Sequence, residues 1–214
     1  MLNVCVPVLN RYDMLRAMLL SLRKSTVTPD GVYVINNGMN QSKVDTAITD
    51  TVERVVILRP NRPLGVAESW NWFIQNVGEE RVITNDDIEF APDSLERMVA
   101  APAHFVSCTF GFSCFLIRDA CVDAVGLFDE AISPGYGYFE DIDYLRRMRQ
   151  AGVADDVVQA SVVHKQSQTP AAYTLDQQQN HERRFLLAKS NYAAKWGDTE
   201  RGEWTWGPIP KDAR

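Results

Sequence analysis

Apolar positions along the first half of the chain fall into two alternating rhythms. Val4, Val6 and Val8 repeat every second residue and predict a buried strand over residues 2–9, with Pro7 suited only to its end. Leu15, Met18, Leu19 and Leu22 then recur at i, i+3, i+4 and i+7, one apolar stripe of a helix for which Asn10 is a fair N-cap. A second strand over 32–35 runs into Asn36-Asn37-Gly38, a turn sequence that tolerates positive φ. Val44, Ala47 and Ile48 mark a weaker helix, and a strand over 54–58 ends in the turn Arg59-Pro60-Asn61-Arg62-Pro63. Residues 64–77 are helical in pattern, and a short strand over 81–84 closes on Asn85-Asp86-Asp87.

Strands that alternate with helices of about 10 to 15 residues predict a parallel sheet covered on both faces. Ligands of such sheets bind beyond the carboxyl ends of the strands. The polar clusters Asn10-Arg11, Asn36-Asn37 and Asn85-Asp86-Asp87 fall at those ends. The second half has a different texture. The pattern gives a helix over 92–99, strands near 104–108 and 113–118, and a short helix over 119–125. The loop Ser133-Pro134-Gly135-Tyr136-Gly137-Tyr138 leads into Phe139-Glu140-Asp141, which opens a helix to about residue 151. A strand over 157–163 ends at His164, and residues 171–196 are long and helical. The tail from 197 to 214, with Trp204 and Trp206, has no periodicity and is expected to wrap the surface or lid the site.

Composition narrows the picture without redirecting it. At 214 residues and 45% hydrophobic content the chain is read as one domain with a core of its own. The net charge of −6 is uneven: residues 1–139 hold 17 acids against 11 bases, and the remainder holds 11 of each. That balance gives no general pull on nucleic acid. Arg146, Arg147, Arg149, Arg183 and Arg184 form a local basic strip that reads as solvated helix faces. Cys5, Cys108, Cys114 and Cys121 are scattered among apolar residues and read as reduced core thiols. The apolar start is too short for a membrane span or a secretory core, so a cytoplasmic protein without a transmembrane segment is expected.

Three clusters could carry chemistry. Asp86 and Asp87 follow an apolar strand directly and offer the oxygen ligands that hard divalent cations prefer; alternatively they are ordinary turn acids. His164 closes another strand, where it is a structural residue or the imidazole of a manganese-type N/O ligand set. Glu140 and Asp141 open a helix, where they cap it and offset its dipole or serve in catalysis.

Taken in order, these segments resemble the family 2 glycosyltransferases of the GT-A fold over nearly the whole chain, to about Gly197. Val4-Cys5-Val6-Pro7-Val8-Leu9-Asn10-Arg11 looks like the family's first strand and nucleotide-contacting turn, and Val34-Ile35-Asn36-Asn37-Gly38 like its second. The run from Asn61 through Gly65 to Asn71 resembles the segment that precedes the acidic metal motif, and Asn85-Asp86-Asp87 stands where the family carries Asp-x-Asp. Gly126-Leu127-Phe128-Asp129-Glu130, then Phe139-Glu140-Asp141-Ile142-Asp143, Arg146 and Ala151-Gly152, match its acceptor-side block; Lys195-Trp196-Gly197 matches a closing motif. Two departures stand out: Asn85 replaces the first acid of the metal motif, and Asn36 replaces a frequent base-contacting Asp.

The resemblance implies a Rossmann-like, mostly parallel α/β sheet with helices on both faces and a small acceptor-side sheet. Residues 1–90 would bind the nucleotide-sugar, 91–196 the acceptor, and 197–214 would form the aromatic tail. It implies inverting transfer of a sugar, as by a hexosyltransferase, from a nucleoside diphosphate, UDP ahead of dTDP and GDP. Asp141 would be the general base and Glu140 its neighbour that binds acceptor or orients the loop. Asp87 and His164 would hold Mn2+ or Mg2+, with Asp86 touching ribose or the ion's water. Pro7, Val8, Asn10, Arg11, Asn36, Asn37, Gly65, Asn71 and Asn85 would complete the donor site. The implied acceptor is a glycan hydroxyl, met in a single transfer rather than by a processive synthase. Two alternatives are a virus-type enzyme acting on a hydroxylated DNA base, with Trp204 and Trp206 as stacking surfaces, and a non-catalytic nucleotide-binding module. The sequence leaves the oligomeric state open.

Overall fold

The computed structural model describes residues 1–158, 162–164 and 175–197, with the side chains of Val162, His164 and Gln177 excepted. The chain starts with β1 (Leu2–Val8), α1 (Tyr12–Leu22), β2 (Gly31–Asn36), α2 (Gln41–Ile48), β3 (Val55–Leu58), α3 (Val66–Asn76) and β4 (Glu80–Thr84). After β5 (Ile88–Phe90) and α4 (Ser94–Ala100) come β6 (Phe105–Cys108), β7 (Gly111–Arg118), α5 (Asp119–Val125) and α6 (Glu140–Gln150). The last described elements are β8 (Asp155–Val157), β9 (Val162–His164) and α7 (Leu175–Trp196).

Seven strands form one sheet in the order β3-β2-β1-β4-β7-β6-β8, and β5 and β9 form a separate antiparallel pair. β1 to β4 are parallel, whereas β7 is antiparallel to both β4 and β6. The parallel half thus follows the pattern of the sequence, and its centre explains the composition of β1. Flanked by strands on both edges and covered on both faces, β1 buries Val4, Cys5, Val6 and Val8 completely, so it needs a near-continuous apolar run. One core layer packs α1 and α2 side chains, such as Leu15, Leu19 and Val44, against Val4, Val6 and Val34. The opposite layer packs Trp70, Phe73, Tyr144 and Met148 of α3 and α6 against Cys5, Ile83, Phe115 and Ile117. All four cysteines are buried and free.

Several boundaries differ from the sequence pattern. α1 is capped at Arg11 without a side-chain cap bond, so Asn10 is an exposed turn residue rather than the N-cap. The strand expected over 157–163 is two strands in two sheets: β8 pairs parallel with β6, and β9 pairs with β5. The basic strip is a row of solvated side chains only in part: Arg183 is exposed, but others are engaged. Arg147 bonds Asp143 at 2.9 Å, the Arg146 guanidinium lies 4.4 Å from the Trp196 ring centre, and Arg184 packs on Tyr136. Periodicity places an arginine on a helix face; it cannot say that a later segment will cover that face.

Two close approaches position the loops at the sheet's carboxyl edge. A Cβ on Gly38 would lie 1.7 Å from the Leu9 carbonyl oxygen, so only glycine lets the β2–α2 turn dock on the β1–α1 turn. The Asn37 amide donates to the Val8 carbonyl at 2.8 Å there, and the Tyr12 hydroxyl donates to Asn36 Oδ1 at 2.7 Å. On the other side, the loop over 133–139 docks on the start of α3, where the Val66 amide donates to the Tyr136 carbonyl at 2.6 Å. A Cβ on Gly65 would meet the Tyr136 amide nitrogen and carbonyl oxygen, both at 2.8 Å.

Gly65→Ala is therefore expected to lift that loop off α3 and to cost about 1–3 kcal/mol of stability, the range for overpacking against backbone; thermal unfolding checks it. A second expectation concerns Asp155, whose carboxylate accepts from the Ser107 amide at 3.2 Å and the Ser107 hydroxyl at 2.8 Å. Burial outweighs these bonds and raises its pKa from 3.8 to about 6. The folded state then holds the proton more tightly than the unfolded one. This contribution to stability is complete below pH 3.8 and lost as pH rises through about 6. Asp155→Asn should match the parent below pH 4 and exceed its stability above pH 6 by about 1–3 kcal/mol. A stability difference that does not grow between those values would contradict the assignment.

Candidate functional site

The direction in which strands are added reverses between β1 and β4: β2 and β3 lie to one side of β1, β4 and the rest to the other. The ladder from β1 to β2 continues to Val8↔Asn36, whereas the ladder from β1 to β4 stops at Cys5↔Ile83. Pro7, which has no amide hydrogen to give, lies just past the end of the shorter ladder. Beyond this gap lies a cavity of about 580 Å³, the position at which open α/β sheets bind ligands.

One wall comes from the ends of β1 and β4. Pro7, Val8, Asn10 and Arg11 line it, together with Asn85, Asp86 and Asp87. The Asn85 amide is fixed by the Ser113 carbonyl at 2.8 Å, and the two acids then form the turn into β5. Asp86 is half-exposed to the cavity, yet the protein packed around it still desolvates it. That burial, reinforced by the neighbouring Asp87 charge and opposed by Arg11, raises its pKa to about 7. The pair is thus short of positive charge.

The facing wall comes from the loop over 133–139, the first turn of α6 and the inner side of α7. Tyr136, Tyr138, Glu140, Asp141, His181 and Arg184 line it. Phe139 precedes the two acids in the left-handed region, at φ 66°, an unusual conformation for a bulky residue. Its buried ring is held by Phe185 and Tyr192 of α7, at centroid distances of 5.4 and 5.5 Å. Glu140 accepts from the Tyr138 amide and so closes the loop on itself, while Asp141 Oδ1 accepts from the Ile142 amide at 2.8 Å. His181 bonds both tyrosine hydroxyls, Tyr136 at 2.8 Å and Tyr138 at 2.9 Å.

Behind this wall is a buried ionic cluster. Asp143, fully buried, accepts from Arg147 Nε at 2.9 Å, Lys195 Nζ at 2.7 Å and the Trp196 indole at 2.9 Å; Lys195 also bonds Asp129 at 2.7 Å. The Lys195-Trp196 motif therefore ties the end of α7 to the first turn of α6.

Of the residues singled out in the sequence, Pro7, Val8, Asn10, Arg11, Asn37, Gly65, Asn85, Asp86, Asp87, Glu140 and Asp141 all line the cavity. Asn36 and Asn71 do not. Asn36 is 1% exposed and engaged by Tyr12, and Asn71 bonds the Phe128 backbone and Glu130, at 2.8–2.9 Å. The backbone of His164 pairs with Ile88, next to Asp87 in sequence, but its side chain lies outside the described residues. Trp204 and Trp206 lie outside them entirely. The sequence reading misses His181 and takes Arg184 as part of a solvated face, although their helical spacing of three within 171–196 puts them on one face.

Among the described residues no group of three His, Cys, Asp or Glu side chains could by itself hold a metal ion. Asp86 and Asp87 do fit a cation whose coordination is completed by water and substrate phosphate, as is usual for Mg2+. Two adjacent carboxylates, one of them prone to hold a proton near neutrality, gain most from such a charge. No helix among the described residues is long and apolar enough to cross a membrane.

Comparison with known proteins agrees with this architecture. The chain is similar to a mannosyltransferase from Pyrobaculum calidifontis in complex with GDP-Man and Mn2+, with a TM-score of 0.65 and 16% identity over 92% of this chain and 64% of that one. It is also similar to glucosyl-3-phosphoglycerate synthase from Mycobacterium tuberculosis in complex with Mn2+, uridine diphosphate and glucosyl-3-phosphoglycerate, with a TM-score of 0.62 and 14% identity over 94% and 81%. TarS 1–349 of S. aureus follows at a TM-score of 0.57 and 11% identity, over 74% and 58%. The chain thus spans 64% and 58% of the lengths of the Pyrobaculum and S. aureus proteins. None of the curated proteins matches. Residues 3–107 match Glycosyl transferase family 2, and the mixed, mostly parallel sheet to which they contribute is GT-A-like.

Proposed function

We propose that the protein transfers a sugar from a nucleoside diphosphate, UDP first, to an acceptor hydroxyl on a glycan, with inversion at the anomeric carbon. The observation that supports this best is the meeting of two acid pairs in one cavity: Asp86-Asp87 from the end of β4, and Glu140-Asp141 from the start of α6. Separate walls suit separate tasks. The departing diphosphate gathers negative charge on one side, and the attacking hydroxyl sheds a proton on the other. The relatives solved with Mn2+ and a nucleotide or nucleotide-sugar fit the same division of labour.

On the donor wall, Asp87 is the ligand for Mn2+ or Mg2+, with His164 as the second ligand from the chain and Asp86 turned to ribose or the ion's water. Bound there, the ion supplies Lewis-acid stabilisation to the leaving diphosphate. Pro7, Val8, Asn10, Arg11, Asn37, Gly65 and Asn85 hold the nucleotide-sugar, with Asn36 and Asn71 supporting the wall from behind. On the acceptor wall, Asp141 takes the hydroxyl proton. Glu140 orients the loop, a role supported by its bond to the Tyr138 amide. Asp141 sits in the first turn of α6, and negative charge is favoured at a helix N-terminus. Four free thiols suit a reducing compartment, and we place the protein in the cytoplasm.

Asp141→Asn keeps the shape of the side chain but removes the proton acceptor, so transfer should fall by about 10²–10⁴ while nucleotide-sugar binding persists. Retained turnover in a donor panel with manganese would remove the assignment. Asp87→Ala should instead abolish the manganese-dependent part of donor binding, read by calorimetry with and without the ion. Equal affinities under both conditions in the parent and the variant would exclude the ligand role.

A further inference from the structure

Among the described residues, two arginines of unlike standing line the cavity. Arg11 is paired with Asp13, Nε to Oδ1 at 3.4 Å, and its charge also bears on Asp86. Arg184 has no carboxylate partner among the described residues. Its Nε donates to Asn180 Oδ1 at 3.4 Å and its Nη1 to the Gly135 carbonyl at 3.3 Å, both neutral acceptors. The guanidinium carbon stands 4.7 Å from the centre of the Tyr136 ring. These contacts fix the plane of the group and leave its Nη2 edge without a partner among the described residues. The side chain is half-buried and lines the cavity. A partly desolvated guanidinium held by neutral acceptors lacks a counter-charge, and a bound anion supplies one through two parallel hydrogen bonds.

We propose that Arg184, stacked on Tyr136, is the recognition site for an anionic group, phosphate or carboxylate, on the acceptor. The proposal rests on the transferase reading given above. Position assigns the anion to the acceptor rather than the donor. Arg184 and Tyr136 belong to the wall whose chain continues into Asp141, while the diphosphate faces the Asp86-Asp87 wall, where Arg11 and the cation serve it. The platform is rigid, because His181, one turn before Arg184, holds the hydroxyls of both Tyr136 and Tyr138. A saccharide that carries an anion near its reactive hydroxyl would then be anchored at one end and presented to Asp141 at the other.

The test uses the full chain saturated with UDP and Mg2+, to which glucose, glucose 6-phosphate and glucuronate are added as neutral, phosphate and carboxylate probes. Calorimetry should find at least one anionic probe bound about tenfold or more tightly than glucose. Arg184→Gln should bring that probe back to the level of glucose, a loss of about 10- to 100-fold, with UDP affinity unchanged within about twofold. Anionic probes that bind the parent no better than glucose overturn the proposal. So does a loss of UDP affinity of about tenfold or more in Arg184→Gln, which would move the residue to the donor diphosphate. Failure of the parent to bind UDP with any divalent cation is read before a probe is added, and it overturns the transferase reading and this proposal together.

Discussion

The site depends on a single mismatch in pairing length. β1 is bonded to parallel neighbours on both edges, but one neighbour accompanies it to Val8 and the other only to Cys5. Where the two part, the backbone of residues 7–11 loses one lateral partner and faces a gap. The turn after β4 supplies polar side chains to that gap, and the loop over 133–139 closes it from the far side. Asp86, Asp87, Glu140 and Asp141 all line this opening, and core layers pack against each face of the sheet behind it.

The second constraint is buried charge. Asp143 is fully enclosed and accepts from three donors on α6 and α7. Removing one donor would leave charge stranded in a medium that solvates it poorly, so such clusters hold their members in one arrangement even where their net contribution to stability is small. Here the arrangement seats α7 against the first turn of α6. That contact in turn keeps Phe139 in its unusual backbone conformation and aims Glu140 and Asp141 into the cavity.

The parallel half of the sheet was legible because its strands and helices have different periods, and because polar clusters at strand ends have a fixed meaning in such folds. Asp86, Asp87, Glu140 and Asp141 could be picked out for the same reason, since each follows or opens a regular element. Asn36 shows where this reasoning stops. An amide in a ligand-facing turn and an amide that bonds a neighbouring tyrosine read identically in sequence, and only packing separates them. The same holds for Arg147 and Arg184, whose partners lie 4 and 49 residues away. β8 and β9 were merged because apolar content alone does not reveal that a chain changes sheets.

The tie between Trp196 and Asp143 spans 53 residues, and that separation has a temporal meaning. A chain made from its N-terminus can pair β1 to β4 into the parallel sheet early, since all four strands lie before residue 85. The first turn of α6 meets its ionic partners only after the last helix has been synthesised and has docked. In a nascent chain the cavity wall at the strand ends can accordingly form before the loop that leads into Glu140 and Asp141 is held in place, so the two walls mature in sequence rather than at once.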